Sequence, residues 1–207
     1  MSKRRVEVYE DNYPKHPINA SREQVEPCDK KILDKIEECF NDEQEKHSKM
    51  MAFRYDVRIP KSIDNIDANR LFIKGQADIV KHLTRQGVDP RYVAVREKSG
   101  NGKDHYHVMV LVNAHKTQNP HGHLTKAEEI FERKLGLEPN GKHGIVNFCD
   151  KDQDGKTARN FYIVHRGNNA EFDEAFKRAS YLAKCHTKTD DGRREMFASV
   201  RRKKKDG

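Results

Sequence analysis

Two histidines one residue apart, His105 and His107 in KDHYHVMVLVN, open the most apolar run of a very polar chain. In a strand, residues two apart face the same side. Both imidazoles therefore project together, with Met109 and Leu111 further along their face and Tyr106, Val108, Val110 and Val112 on the other. Apolar residues on both faces make this a central strand whose imidazoles stand at the polar end of a buried surface. Two parallel imidazoles at this spacing can share one divalent ion. The bland alternative is a pair of strand-end histidines bound to water or backbone, and a chain with 11 histidines can produce the pattern by chance.

An ion that engages phosphate oxygens prefers mixed oxygen and nitrogen ligands with open positions, so a carboxylate is the next requirement. Glu97, on the preceding strand RYVAVREK, is the best placed. The intervening SGNG is the strongest hairpin signal in the chain. If the hairpin pivots on Asn101, Glu97 lies opposite His105 and on its face. A strict two-residue Asn-Gly turn would pair Glu97 with Tyr106 and turn the carboxylate away. The metal reading thus predicts a three-residue loop or a bulge. Asp104 and Asp56 are the fallback acids, and without a metal Glu97 is a solvated hairpin charge.

A tyrosine completes the set. In NAEFDEAFKRASYLAKCHTK, a step of about 100° per residue puts Phe172, Ala175, Phe176, Ala179, Leu182, Ala183 and His186 on one stripe. Tyr181 falls on the opposite side, near Lys177 and Lys184. A free tyrosine with pKa ~10 is only about 0.1% ionised at pH 7, so a nucleophilic phenol needs a cation nearby. Lys184, three residues on and on the same face, or a metal ion could supply it. The alternative is a tyrosine that covers a neighbouring loop.

The elements that must position these groups follow from periodicity. Residues 1–28 have no period and read as a mobile segment; 29–48 read as an amphipathic helix with Ile32, Ile36, Cys39 and Phe40 at helical spacing. MMAFRYDVRIP is a strand ending at Pro60. A helix follows, with Ile66, Leu71, Ile73, Ile79, Val80 and Leu83 as apolar positions and Gly87 closing it. After the hairpin, Thr125 and Glu128 are spaced as a capping box that would start a helix. HGIVNFC and NFYIVHR read as two more strands before the last helix. The order β, α, β-β, α, β-β, α predicts an α+β fold: a central antiparallel sheet of about five strands flanked by helices. The domain would span 49–190, with a basic tail over 191–207.

Composition narrows the class. The chain has 207 residues, 36% of them charged, no Trp and a net charge of +8, which favours a polyanionic partner. No stretch approaches the ~18 apolar residues of a membrane helix, and MSKRRVEVYEDNYPKHP lacks the apolar core of a secretory signal. Cys28, Cys39, Cys149 and Cys185 form no CxxC pair and read as reduced cytosolic thiols. The tail SVRRKKKDG offers Arg201, Arg202 and Lys203, which with Lys177 are candidate nucleic-acid contacts.

An acid on one strand, HYH on the next and YLAK on a late helix resemble the HUH endonucleases, with Tyr106 at the bulky middle position. Histidines before tyrosine resembles single-tyrosine rolling-circle replication initiators. FRYDVRIP and REMFASVRR further resemble filamentous-phage-type replication proteins and the prophage YagK/YfjJ C-terminal family. The resemblance spans roughly residues 50–201 and implies a ferredoxin/RRM-like fold. It also implies Mg²⁺ or Mn²⁺ held by His105, His107 and Glu97, with Tyr181 attacking single-stranded DNA at an origin hairpin to leave a 5′-phosphotyrosine and a free 3′-OH. Lys184 would orient Tyr181 or offset phosphate charge. A host helicase and polymerase would act alongside, in the cytoplasm of a bacterial cell and away from any membrane.

Rival readings are a single-tyrosine HUH transposase and, in another class, a non-catalytic RRM-like nucleic-acid-binding or regulatory protein. The second lacks an RNP-like aromatic strand. HGH at 121–123 reads as loop. DKDQDG copies half an EF-hand loop but has Phe161 at the twelfth position. DGKT lacks the first glycine of a P-loop, so no ATPase motor is expected.

Overall fold

The run from 104 to 113 does become an inner strand. The computed structural model describes residues 5–21, 23, 26–60, 67–98, 102–151, 154–186, 188 and 191–199. Four two-residue strands come first: β1 (Glu7–Val8), β2 (Asn12–Tyr13), β3 (His16–Pro17) and β4 (Cys28–Asp29). Then follow α1 (Lys30–Lys46), β5 (Lys49–Arg58), α2 (Ala68–Arg85), β6 (Arg91–Lys98) and β7 (Asp104–Asn113). The remainder is α3 (His121–Lys134), β8 (Val146–Asn147), β9 (Phe161–His165), α4 (Asn169–Ser180), a 3₁₀ turn (Tyr181–Ala183) and β10 (Met196–Ala198).

The main sheet has six antiparallel strands in the order β10-β6-β7-β5, with β8 and β9 both on the outer edge of β5. Alternation divides the residues of β7 between two cores. Tyr106, Val108, Val110 and Val112 meet α2 and α3, where Phe72 and Phe131 pack. Met109 and Leu111 meet α1 and α4, together with Phe40, Phe172 and Phe176. Tyr106 is fully buried; its ring stacks on Phe72 at 4.1 Å and its hydroxyl donates to Asn69 Oδ1 at 2.7 Å. A bulky residue between the histidines thus pins their strand to α2, a ring pair contributing about 0.5–1.5 kcal/mol beyond burial.

Helix starts follow side-chain capping. Asp29 accepts from Lys31 and Ile32 N–H, Asp67 from Arg70 N–H and Asn168 from Glu171 N–H. In α3 the structure departs from expectation. The helix begins at His121 after Pro120, so HGH forms its first turn instead of a loop. The Thr125 hydroxyl bonds back to His121 O, and no Thr125–Glu128 capping box forms. Glu128, buried, accepts from Ile145 N at 2.9 Å and from Val146 N. Glu132 accepts from Gly141, Lys142 and His143 N–H. These two carboxylates organise the loop into β8, shrinking the HGIVNFC strand to two residues.

Other expectations also change. Ile73 is largely exposed, while Phe72, one residue earlier, fills the core; Ile66 lies outside the described residues. The described part of residues 5–28 is not a loose segment: Val8, Ile18 and Cys28 are buried against α1 and α4. Its charged residues mask the few apolar anchors. Within the basic tail, Met196–Ala198 pairs with Val93–Val95 as an edge strand. An Arg5–Glu195 ion pair at 2.8 Å adds a brace there.

Candidate metal centre and tyrosine

The hairpin register decides whether the acid reaches the histidines. Glu97 pairs with His105 and Lys98 with Asp104, the register of a hairpin pivoting on residue 101. Residues 99–101 themselves lie outside the described set. On the other side β5 sets Asp56 opposite His107 and Arg58 opposite His105. Directly opposed residues share a face, so two strands bring their acids to one imidazole pair.

Side chains converge accordingly. His107 Nε2 lies 3.0 Å from His105 Nε2 and 2.9 Å from Glu97 Oε2, and His105 Nε2 lies 3.7 Å from the same oxygen. Glu97 and His107 are buried, His105 half-buried. The second nitrogen of His107, Nδ1, faces Asp56 Oδ1 at 2.7 Å. That carboxylate favours a proton on Nδ1, so Nε2 is the nitrogen that can ligate once an ion takes the place of its hydrogen bond to Glu97. Buried Nδ1 of His105 has no hydrogen-bond partner.

The fallback acids part company. Asp104 lies on the opposite face from the histidines, where it binds Arg96 at 2.8 Å and Arg193 at 2.9 Å. With Asp191 these arginines brace the hairpin base and β10. Asp56 is present, but behind His107 rather than beside Glu97.

Two cations that the sequence reading passed over hold the arrangement. Lys188, with a fully covered side chain, donates to Glu97 Oε1 at 2.7 Å and to Lys184 O at 2.6 Å. Arg54 donates to both Asp56 oxygens, and its Nη2 approaches His107 Nδ1 to 2.8 Å. Both had a signal in spacing. Arg54 is two residues from Asp56 on one strand face, and Lys188 follows Lys184 by four.

Electrostatics follow this geometry. Burial opposes ionisation of Asp56, yet the His107 hydrogen bond and Arg54 charge outweigh it and hold its pKa at about 2. Glu97 is likewise opposed by burial and lowered still further by His107 and Lys188. Burial lowers His107, but hydrogen bonds to Asp56 and Glu97 raise it overall. His105 is lowered, by burial and then by the neighbouring His107. Anionic carboxylates beside a His105 kept neutral form a donor set suited to a divalent ion.

Tyr181 stands next to this cluster. α4 ends at Ser180 and tightens into the 3₁₀ turn, so Tyr181 leaves the helix instead of continuing it. Its ring lies edge-on to His107 with centroids 5.7 Å apart, and the Arg54 guanidinium sits 4.3 Å from its centroid. Lys184 Nζ is 5.6 Å from that centroid and bonds Glu26 Oε2 at 2.7 Å. The near cation on Tyr181 is therefore Arg54, with Lys184 partly committed elsewhere. The predicted stripe holds for Phe172 to Ala183, but His186 is exposed because the helix has ended.

Half-buried, Tyr181 lines a cleft of about 390 Å³ with Lys177, Arg178, Arg159 and Tyr162. The Arg159 guanidinium lies 4.4 Å from the Tyr162 ring centre. Lys177 is exposed there, whereas Arg201, Arg202 and Lys203 lie outside the described residues. No helix among the described residues is long and apolar enough to cross a membrane, and all four cysteines are free.

The YagK/YfjJ C-terminal domain model covers residues 15–199, and the chain belongs to that family. No curated protein matches it. Among solved structures, the catalytic domain of the adeno-associated virus type 5 Rep protein has a TM-score of 0.39 at 10% identity, covering 63% of this chain and 96% of that one. The N-terminal nuclease domain of the minute virus of mice non-structural protein 1 has a TM-score of 0.30 at 8% identity, covering 80% and 78%. That viral domain is described with Zn²⁺ coordinated in its active-site pocket and with recognition of DNA at the origin of replication.

Proposed function

We propose that the chain is a metal-dependent endonuclease and strand transferase of the HUH type, which nicks and rejoins single-stranded DNA through Tyr181. The observation that carries this reading is the convergence of Glu97 Oε2, His105 Nε2 and His107 Nε2 within 3.7 Å of one another, beside a half-buried tyrosine. Two imidazoles and one carboxylate on a triangle, backed by Asp56 and Lys188, fit a divalent ion with positions left for substrate oxygens.

Mn²⁺ or Mg²⁺ bound there would polarise the scissile phosphate and offset charge in the transition state. Asp56 keeps His107 in the ligating tautomer, and Lys188 steadies Glu97 through its other oxygen. Tyr181 Oη gives up its proton to solvent as it attacks phosphorus; the P–O3′ bond breaks and the leaving 3′-oxygen takes up a proton. The products are a 5′-phosphotyrosine and a free 3′-OH. The Arg54 guanidinium packed over the ring helps hold it beside the metal centre. Attack of a 3′-OH on the phosphotyrosine reverses the step and rejoins strands without ATP. Lys177, Arg178 and Arg159 provide positive charge along the cleft, and Tyr162 a stacking surface for a base.

Initiation of rolling-circle replication on a phage, prophage-like element or plasmid is the role this chemistry serves best. An origin hairpin would be the substrate, and a host helicase and polymerase in the bacterial cytoplasm would be the partners. The test is incubation of the full chain with a library of single-stranded hairpins, with and without Mn²⁺. Metal-dependent nicks that leave an extendable 3′-OH, absent in His105→Ala and His107→Ala, are expected. Absence of metal-dependent cleavage across the library would favour a non-catalytic binding module.

A further inference from the structure

At the other end of the sheet, eight residues along β7 from His105 and so roughly 25 Å away, α1 closes on a second cluster. Glu43 and His47, one helical turn apart on the same face, meet Asp89 from the turn between α2 and β6. The Glu43 side chain has no exposed surface, and neither carboxylate oxygen has a hydrogen-bond partner. A buried carboxylate without hydrogen bonds is costly, and the nearest groups, His47 and Arg91, stand at ion-pair distance without hydrogen-bonding it. His47 Nε2 lies 3.5 Å from Glu43 Oε1 and 2.9 Å from Asp89 Oδ2, and all three donor atoms fall within 4.8 Å. Donors on one Zn²⁺ ion with bonds of about 2.0–2.1 Å stand about 3.3 Å apart at the tetrahedral angle. The two measured separations bracket that spacing.

Neighbouring charges leave room for a cation. Lys46 Nζ pairs with Asp89, Arg91 Nε lies 3.5 Å from Glu43 Oε2, and Arg91 Nη1 lies 3.3 Å from Asp42 Oδ2. Three carboxylates thus face two permanent cations. The Lys46 side chain is 41% exposed, so it can turn into solvent when an ion takes its place on Asp89.

We propose that Glu43, His47 and Asp89 form a second metal site, separate from the His105–His107 centre, for a borderline divalent transition ion such as Zn²⁺. One imidazole with two carboxylates suits such an ion, with water at the remaining position. The bound ion clamps the end of α1 to the α2–β6 turn, where both β5 and β6 begin.

Calorimetric titration of Zn²⁺ into the chelator-stripped full chain carrying His105→Ala and His107→Ala reads this site alone. One Zn²⁺ per chain at micromolar affinity is expected, with a rise in melting temperature. Asp89→Asn replaces a part-exposed carboxylate at φ 52, a conformation that asparagine tolerates. It should weaken binding at least about tenfold, and melts with and without Zn²⁺ separate that loss from any change in the metal-free fold. In the otherwise wild-type chain, the same variant should lower the stoichiometry from two to one. Absence of Zn²⁺ binding in the double-alanine chain, or binding indifferent to Asp89→Asn and to His47→Gln, overturns the proposal. Because no DNA is involved and the first centre is disabled, the outcome is independent of the nicking reading.

Discussion

Asp56→Asn isolates the part played by a carboxylate that touches His107 instead of the ion. In the native protein His107 Nδ1 faces an acceptor, Asp56 Oδ1 at 2.7 Å, and a donor, Arg54 Nη2 at 2.8 Å. The carboxylate wins the proton and leaves Nε2 free to ligate. An amide at position 56 exchanges a charge-assisted bond of ~1.5–3 kcal/mol for a neutral one of ~0.5–1.5 kcal/mol. The difference of about 1–2 kcal/mol corresponds to roughly 5- to 30-fold in Kd. Arg54, no longer neutralised, also competes to donate to Nδ1, which would move the imidazole proton to Nε2 and block the lone pair. Loss of Mn²⁺ affinity should therefore lie at or above the upper end, within the about 10- to 100-fold typical of groups that orient a ligand. Calorimetric Mn²⁺ titration at pH 7.5, in a Tyr181→Phe and Asp89→Asn background, gives the number. Affinity within about twofold of the parent would refute the orienting role, while binding as weak as in His107→Ala would place Asp56 on the ion itself.

Three further outcomes follow from the packing and charge. Lys188→Met breaks a buried ion pair and should destabilise the metal-free chain by ~3–5 kcal/mol; added Mn²⁺ should restore more melting temperature than in wild type, and an equal shift in both would separate Lys188 from the centre. Gly75→Ala drives a Cβ into the Phe131 ring where α2 crosses α3. Overpacking there should cost about 1–3 kcal/mol in urea unfolding despite the better helix propensity of alanine, and a stabilised variant would contradict it. Burial, reinforced by Asp89, pushes Glu43 up to about 7. A folded value above the unfolded one means that its contribution is fully present below the unfolded value of about 4.3 and is lost as pH rises through 7, by up to roughly 3.5–4 kcal/mol. Glu43→Gln should flatten that decline in metal-free urea melts between pH 4 and 8; parallel curves would show that Glu43 does not titrate there.

Much of the site was legible because short-range geometry dictates it. Strand alternation sets His105 and His107 on one face whatever the tertiary context, and the hairpin register then fixes Glu97 opposite His105. Tyr181 was singled out from a helical stripe that it does not join. The structure keeps that placement although the helix stops one residue earlier. What stayed hidden depends on long-range contacts. Lys188 reaches Glu97 across 91 residues, and its spacing of four from Lys184 does not by itself name that partner. Asp56 and Asp104 look alike in sequence, yet strand parity sends one to the histidines and the other to Arg96. β10 was read as tail because its three residues carry no alternation of their own and form a strand only against β6. The start of α3 was misplaced because Thr125 and Glu128 have capping-box spacing but spend their hydrogen bonds on His121 and on the loop into β8.

The central claim is that Tyr181 forms a covalent bond to DNA under the control of the Glu97–His105–His107 centre. A cleavable single-stranded hairpin labelled at its 3′ end, incubated with the protein and Mn²⁺ and resolved on a denaturing gel, tests it most directly. Tryptic mass spectrometry of the shifted band then identifies the residue that carries the label. The account predicts labelled protein with a nucleotide remnant on Tyr181, absent with EDTA, in Tyr181→Phe and in His107→Ala. A covalent adduct that persists in Tyr181→Phe, or cleavage of the hairpin with no adduct at any time point, would contradict it.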